Sequence, residues 1–206
     1  MTVYQDYGYT NSNACHAFNY MLQPLLSLLN QTDNRHILDL GCGNGYLVNY
    51  LIEQGYNAYG TDASEKGIAI ANKANPGRFF VQDLSSDALP PQLQDISFDT
   101  IISTEVIEHL YNPETFITFC RQQLKPGGQL IVTTPYHGYI KNLLLSIFNK
   151  WDTHMNPLWA GGHIKLWSRK TLTSALTQAG FKVVSFKGCG NIPYCWKSMI
   201  IKATLN

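Results

Sequence analysis

The run Ile37-Leu38-Asp39-Leu40-Gly41-Cys42-Gly43-Asn44-Gly45 constrains the fold more than any other segment, because it joins a buried strand directly to a glycine-rich turn. Three glycines at alternate positions leave a floor without side chains, on which a ligand can lie against the backbone. The spacing is G-x-G-x-G, whereas the dinucleotide fingerprint is G-x-G-x-x-G. The turn therefore predicts a nucleoside ligand without a pyrophosphate and disfavours a nicotinamide-dependent reductase.

Acidic residues follow the next two predicted strands. Asp62 comes 21 residues after Gly41, close to the ~20 residues expected for a carboxylate that binds a ribose. Asp83 follows a third strand, where a carboxylate could meet an adenine amino group. The strands after the first are predicted at 57–62, 79–81, 98–103, 129–134, 181–187 and 196–202.

Segments with helical periodicity lie between these strands. The last two strands are joined by a short turn at 188–193, which is typical of an antiparallel hairpin. We therefore expect an α/β fold: a single-domain, doubly wound, Rossmann-like sheet of seven strands, the last antiparallel, with helices on both faces. The helices are predicted at 14–29, 46–54, 65–74, 113–123 and 169–179.

Size and composition agree with one compact domain of 206 residues, with 45% hydrophobic and 14% charged residues. We expect an N-terminal helical cap at 1–33 and a main domain at 34–206, with an insertion at about 138–160. The five cysteines are odd in number, show no C-x-x-C spacing and follow a start without an apolar leader, so we expect a cytoplasmic protein. No stretch reaches the ~18 apolar residues needed to span a bilayer.

Charge is divided unevenly along the chain. Residues 1–140 hold 6 Lys/Arg and 13 Asp/Glu, and residues 141–206 hold 9 Lys/Arg and 1 Asp/Glu, so the net charges are −7 and +8. This division is typical of a surface that faces an anionic partner, such as lipid, phosphate or nucleic acid. Ordinary solvated lysines are the alternative.

The segment after the fourth strand carries a candidate catalytic and metal-binding cluster. If this segment is helical, Glu105, Glu108 and His109 are i, i+3 and i+4 and point into one quadrant. Such a group can hold a divalent cation, and His163 is the best candidate for a fourth ligand. Mg, Mn, Zn and Fe(II) all accept subsets of these donors. Alternatively, the two glutamates complement a helix dipole and the two histidines are structural.

Five segments, in their order and spacing, resemble class I S-adenosylmethionine-dependent methyltransferases over residues 34–206. They are the glycine turn after the first strand and the segments at 57–62, 79–84, 98–103 and 124–134. This resemblance implies S-adenosylmethionine as cofactor and S-adenosylhomocysteine as product. Asp39 and the glycine turn would hold the methionine portion and Asp62 the ribose. The predicted cofactor-binding residues are Asp39, Gly41, Cys42, Gly43, Gly45, Asp62, Ala63, Asp83, Leu84 and Ser103.

The Glu-Val-Ile-Glu-His motif and the later histidine are similar to two groups within that class. One comprises the ubiquinone-biosynthesis O-methyltransferases, and the other the small-RNA 3′-end 2′-O-methyltransferases, whose metal is held by two Glu and two His. Thr134-Pro135-Tyr136-His137 departs from the first group, and the chain has no room for the RNA-binding appendage of the second, which disfavours nucleic acid as a partner. The resemblance favours Mg²⁺ among the metals.

We therefore expect methyl transfer to a hydroxyl oxygen of a small molecule of the catechol or quinone-precursor type. Without a metal, His109 would be the general base, with His137 as the alternative. The alternative functions are methylation of a sugar or RNA 2′-hydroxyl, and a cofactor-binding module without turnover. The oligomeric state stays open.

The insertion at 138–160 has apolar residues at near-helical spacing with basic residues between them. It predicts an amphipathic helix beside the active site. Such a helix could be a lid over an apolar substrate, a contact with an anionic membrane surface, or part of the core. The second reading implies a protein peripheral to the inner face of a membrane.

Overall fold

Seven strands alternate with helices in the computed structural model, which describes residues 7–29, 36–84, 88–159 and 161–205. The strands are β1 (Ile37–Leu40), β2 (Ala58–Asp62), β3 (Phe79–Val81), β4 (Phe98–Thr104), β5 (Leu124–Pro135), β6 (Phe181–Cys189) and β7 (Ser198–Leu205). The helices are α1 (Phe18–Leu26), α2 (Tyr46–Glu53), α3 (Glu65–Ala71), α4 (Pro113–Gln123), α5 (Tyr139–Ile147), α6 (Trp151–Met155) and α7 (Arg169–Gln178), with short 3₁₀ turns at Pro91–Leu93 and Ile107–His109.

The strands form one sheet in the order β3-β2-β1-β4-β5-β7-β6. Neighbouring strands from β1 to β5 are parallel, whereas β7 is antiparallel to both β5 and β6. The predicted doubly wound sheet with a reversed last strand is confirmed. Because the strand order reverses between β1 and β4, the carboxyl ends of these two strands form the edge where open α/β sheets bind ligands.

Alternating side chains of the strands fill two separate cores, one on each face of the sheet. On the first face, Leu38, Ile101 and Leu130 pack against α4 and α7. On the second face, Ile37 and Ile102 pack against α1, α2 and α3. Both faces of the parallel strands are therefore buried, which explains why these strands read as continuous apolar runs.

Local signals fix where several helices begin. The Ser64 hydroxyl accepts from the Gly67 amide at 2.9 Å, and Ser168 forms a reciprocal capping box with Thr171. Asn112 caps the helix that begins with Pro113. These sites lie at or beside the predicted helix starts.

Two predicted regions differ from the structure. The N-terminal helix is shorter than the predicted 14–29 and contains Pro24. The insertion forms two helices rather than one, separated at Asn149, whose φ of 50° breaks the helical path. The predicted boundary between residues 33 and 34 lies outside the described residues, so the division into cap and main domain stays a prediction. Within the described residues, no helix has both the length and the apolar content to cross a bilayer.

Candidate active site

The glycine turn runs from the end of β1 to the start of α2. Gly41 and Gly43 adopt φ of 80° and 57°, in the left-handed region that disfavours any residue with a Cβ. The Gly41 and Cys42 amides both donate to the Thr61 carbonyl, at 2.8 and 2.9 Å, so the turn is fixed to β2. A Cβ on Gly41 would collide with Val106, which places the turn directly beside the end of β4.

Two carboxylates lie at this turn. The Asp62 carboxylate accepts from the Gly43 amide and from the Ser64 amide, both at 2.8 Å. Asp39 is fully buried, and its Oδ1 accepts no hydrogen bond of good geometry from the described residues. Burial, reinforced by the Asp62 charge, raises the pKa of Asp39 to about 8. An unpartnered buried carboxylate favours a cationic or hydrogen-bond-donating ligand.

Cys42 and Ser103, two further predicted cofactor residues, both use their side chains in contacts within the protein. The Cys42 side chain points toward Gly60 on β2, so its backbone rather than its thiol belongs to the turn. Ser103 is fully buried, and its hydroxyl donates to the Leu40 carbonyl at 2.9 Å, which holds β4 to β1. Its role toward a cofactor stays a prediction.

Three predicted cofactor residues follow the adjacent strands. Ala63 lies half-buried directly after β2. Asp83 is exposed and Leu84 half-buried, just beyond β3. All three are at the carboxyl edge of the sheet, on the same side as the glycine turn.

Tyr9 covers part of this turn and was not predicted. Its ring lies against Gly43, where a Cβ would collide with the phenol, and close to Gly67. The segment that follows Tyr9 is held in place by Asn44, whose side-chain amide donates to the Asn11 and Asn13 carbonyls, both at 2.8 Å. The N-terminal sequence carries no periodicity that would have indicated this contact.

Glu108, His109 and His163 form a candidate metal site. One ligand atom from each lies within 4.8 Å of the others. Glu108 is fully buried, and neither of its carboxylate oxygens accepts a hydrogen bond of good geometry from the described residues. Burial, followed by the charge of Glu105, raises the pKa of Glu108 well above its usual range.

Backbone contacts bring these residues together across a long sequence separation. The Glu108 carbonyl accepts from the Ile164 and Lys165 amides at 2.9 and 3.0 Å. His109 Nδ1 lies 2.8 Å from the Gly161 carbonyl, and a proton on Nδ1 would leave Nε2 as the free ligand atom. The His109 and His163 ring centroids are 4.9 Å apart. Burial lowers the pKa of both imidazoles, that of His163 to about 4, so both are neutral and able to ligate a metal.

Glu105 does not join this group, so the predicted helix over 105–109 is wrong. Its amide donates to the Thr133 carbonyl at 3.2 Å, which extends the strand, and its φ of 54° then turns the chain. Its carboxylate accepts from the Thr133 and Ser198 hydroxyls at 2.9 and 3.1 Å. Burial raises the pKa of Glu105 to about 7. Glu105 still lines the same cavity as His163.

His137 lies close to a second histidine that the sequence did not indicate. The His137 and His154 ring centroids are 5.3 Å apart, and Nε2 of each ring is buried without a hydrogen-bond partner among the described residues. The His137 Nδ1 lies 3.3 Å from the Asn142 side-chain oxygen. His154 is on α6, in an insertion without fixed spacing to the motifs, so sequence reasoning had no signal for it.

Comparison with known proteins points to one family. A family model described as a methyltransferase domain matches residues 14–186. A ubiquinone biosynthesis O-methyltransferase from Sinorhizobium medicae is 35% identical over 115 residues, which are 54% of this chain and 45% of the relative. The human mitochondrial ubiquinone biosynthesis O-methyltransferase is 31% identical over 158 residues, which are 74% of this chain and 42% of the relative. The chain thus spans about half the length of these relatives.

Solved structures share the fold. The magnesium protoporphyrin IX methyltransferase from Synechocystis, solved with bound S-adenosylhomocysteine, superposes with a TM-score of 0.66 at 20% identity. The match covers 90% of this chain and 80% of that one. At this level of identity the similarity shows the fold alone.

Proposed function

Because the chain belongs to the family of S-adenosylmethionine-dependent methyltransferases, we propose that it moves a methyl group to a hydroxyl oxygen of a small molecule. We propose a catechol or quinone precursor as the acceptor, in line with the relatives named ubiquinone biosynthesis O-methyltransferase. The observation that carries the proposal is a fully buried Glu108 beside two histidines, at the same sheet edge as the glycine turn, whose carboxylate accepts no hydrogen bond of good geometry from the described residues.

The turn and its carboxylates fit S-adenosylmethionine. Asp39 Oδ1 is a buried acceptor without a partner, which suits an ammonium group such as that of the methionine portion. Asp62 stands at the end of β2, the position expected for a carboxylate that binds a ribose diol, and its carboxylate is fixed beside the turn by the Gly43 and Ser64 amides. Gly41 and Gly43 adopt the left-handed φ angles that give the turn its shape, and Val106 and Tyr9 pack closely against them at the edge of the proposed site.

When bound, S-adenosylmethionine supplies an electrophilic methyl group on a sulfonium. The residues of the chain must then bring an acceptor oxygen in line with it and remove the hydroxyl proton. Without a metal, His109 Nε2 would accept this proton, because a proton on Nδ1, held by the Gly161 carbonyl, leaves Nε2 unprotonated. His137 is the alternative base, with its Nδ1 held by Asn142.

We propose further that Glu108, His109 and His163 hold a divalent cation. Both Glu108 oxygens are buried and accept no hydrogen bond of good geometry within the described part of the chain, and burial keeps the two imidazoles neutral by lowering their pKa, so the donors fit a metal. A cation held there would lower the pKa of an acceptor hydroxyl and fix its approach. One carboxylate with two imidazoles also suits Mn²⁺, Fe²⁺ or Zn²⁺, whereas Mg²⁺ prefers oxygen ligands. The resemblance to the metal-dependent groups makes Mg²⁺ the first cation to test.

We also propose that α5 contacts an anionic membrane surface. No residue of this helix is buried, and its exposed apolar side chains include Ile140, Leu143 and Ile147. The helix opens the basic part of the chain, in which residues 141–206 carry a net charge of +8. An exposed apolar face beside lysines is typical of an interfacial helix, and it would suit an acceptor with an apolar tail.

Calorimetry and product analysis together test the function. We expect the purified chain to bind S-adenosylhomocysteine and, with S-adenosylmethionine and Mg²⁺ or Mn²⁺, to add one methyl group to catechol, detected by mass spectrometry. Binding without methylation of any hydroxyl acceptor would favour a cofactor-binding module. Recognition of NADH in place of S-adenosylhomocysteine would overturn the proposal.

A further inference from the structure

A cavity of about 320 Å³ opens next to the candidate metal site, between α1, α5, α6 and the start of β7. His163 belongs both to the metal group and to the cavity wall, so the two spaces adjoin. The wall residues that bear on ligand chemistry are Tyr20, Glu105, Lys141, His154, His163 and Lys197. The cavity therefore lies where the acceptor of the proposed reaction would extend away from its reacting oxygen.

The cavity wall has more free positive than negative charge. Lys141 is half-buried, and its ammonium makes one hydrogen bond, of 3.4 Å, to the Lys197 carbonyl. The Lys197 ammonium lies 5.1 Å from the centroid of the Tyr20 ring. Glu105 is the one carboxylate among the wall residues, and both its oxygens already accept hydroxyl hydrogen bonds. The Glu105 charge acts on Lys141 from across the cavity, but neither lysine forms a direct ion pair with any of the described residues, so a ligand in the cavity meets two ammonium groups and one carboxylate.

His154 offers an additional polar atom in the cavity wall. His154 Nε2 is buried and has no hydrogen-bond partner among the described residues. Burial lowers the pKa of His154, so the ring is neutral, and in the tautomer with its proton on Nε2 the buried atom is a donor. A buried donor without a partner costs free energy that a ligand oxygen can recover. The position of this atom beside Lys141 favours an oxyanion.

We propose that this cavity recognises an acceptor that carries an oxyanion, a carboxylate or a phosphate, on the same framework as the methylated hydroxyl. Lys141 and His154 bind the oxyanion, and Lys197 contributes at the mouth of the cavity. This inference rests on the proposed function and narrows its acceptor class from neutral catechols to hydroxy acids. Carboxylate and phosphate share the same recognition chemistry, and the experiment separates them.

Matched ligands test the inference by calorimetry on the full chain, with and without S-adenosylhomocysteine. The ligands are catechol, 3,4-dihydroxybenzoate and 2-hydroxyphenyl phosphate, which differ in the anionic group. We expect at least one anionic ligand to bind about tenfold more tightly than catechol. The tighter of the two identifies the oxyanion.

Three variants assign the preference to Lys141. Lys141→Met removes the charge at similar volume and should abolish the preference, whereas Lys141→Arg should retain it. The control Lys170→Met removes an exposed lysine of α7 and should bind like the unmodified chain. Equal affinity for all three ligands, or a preference that survives Lys141→Met, would overturn the inference. Loss of S-adenosylhomocysteine binding with the preference intact would overturn the proposed function alone, because the cavity does not include the glycine turn.

Discussion

At the scale of single residues, Asp62 connects the turn to its ligand. Its carboxylate orders the Gly43 and Ser64 amides, and it stands at the end of β2, where a ribose would lie. An acid in this position shapes the glycine turn, and in the proposed function it also accepts hydrogen bonds from the ligand. Both the shape of the turn and the hydrogen bonds to the ribose would affect the affinity for the cofactor.

Asp62→Ala should weaken binding of S-adenosylhomocysteine at least about tenfold, because charge-assisted hydrogen bonds to the ribose are lost and the Gly43 amide loses its acceptor. Isothermal titration calorimetry measures this change. Asp95→Ala, which removes an exposed acid between β3 and β4, is the matched control and should leave the affinity unaltered. An Asp62→Ala protein that binds as tightly as the control would remove the ribose role.

The candidate metal site depends on Glu108. Addition of Mg²⁺ or Mn²⁺ should raise the melting temperature of the metal-free protein, because a cation that binds only the folded state stabilises it. EDTA should suppress turnover, and the effective cation should restore it. Glu108→Gln should abolish the thermal shift, whereas Glu114→Gln, an exposed glutamate of α4, should preserve it. If neither the melting temperature nor the turnover responds to chelator, His109 or His137 acts as base without a metal.

Residue spacing predicted three members of this site and misplaced the fourth. Glu108, His109 and His163 meet as expected, although the last is 54 residues from His109. Glu105 departs because hydrogen bonds to Thr133 continue the strand through its amide, and its left-handed backbone then redirects the chain. Helical spacing cannot anticipate this, since the competing contact comes from a neighbouring strand.

At the scale of elements, apolar periodicity located most strands and helices. The two cores show why, because each strand alternates its side chains between two buried faces and each helix offers one apolar stripe. The insertion was harder to predict. Its apolar pattern is consistent with one helix, yet Asn149 interrupts it and α5 is left without a buried residue. Apolar periodicity predicts that a helix has an apolar face, but it does not predict which element, if any, packs against that face.

The exposed face of α5 should bind anionic lipid. We expect the protein to co-sediment with liposomes that contain phosphatidylglycerol at low salt, and less so at high salt, because the attraction to the headgroups is screened. Ile147→Asp should reduce the pelleted fraction, since it places a charge on the apolar face. Val184→Asp, at an apolar position on β6 with a similar degree of exposure, is the control. Absence of pelleting at low salt would favour the lid interpretation.

At the scale of the whole molecule, the sequence predicted the sheet but not how the N-terminal segment lies across it. The glycine turn, the strand pattern and the reversed hairpin specify the doubly wound architecture. The contact of Tyr9 with Gly43 instead depends on Asn44 holding the carbonyls of an aperiodic segment. The cavity beside His163 likewise combines α1, α5, α6 and β7, which no single motif spans.

The titration of buried groups sets how stability of the ligand-free protein varies with pH. His137 and His163 have folded pKa values of about 4, below the usual 6.5, so below pH 6.5 the unfolded chain binds more protons and stability rises with pH. Asp39 and Glu105 have folded pKa values of about 8 and about 7, above the usual 3.8 and 4.5, so the unfolded chain releases protons first and stability falls as pH rises. The two trends oppose each other below pH 6.5.

Above pH 6.5 the histidine contribution is complete while Asp39 and Glu105 continue to titrate, so the free energy of unfolding should fall as the pH rises from 6.5, until Lys141, with a folded pKa of about 8 against the usual 10.5, opposes the trend near pH 8. Urea unfolding of the ligand-free protein at intervals across this range measures the slope. Asp39→Asn should flatten it, because burial beside Asp62 no longer opposes an ionisation at residue 39, whereas Asp95→Asn should not. A slope that is flat in the unmodified protein would mean that Asp39 is ionised at neutral pH, and its carboxylate would then need a cation in the fold even before the cofactor binds.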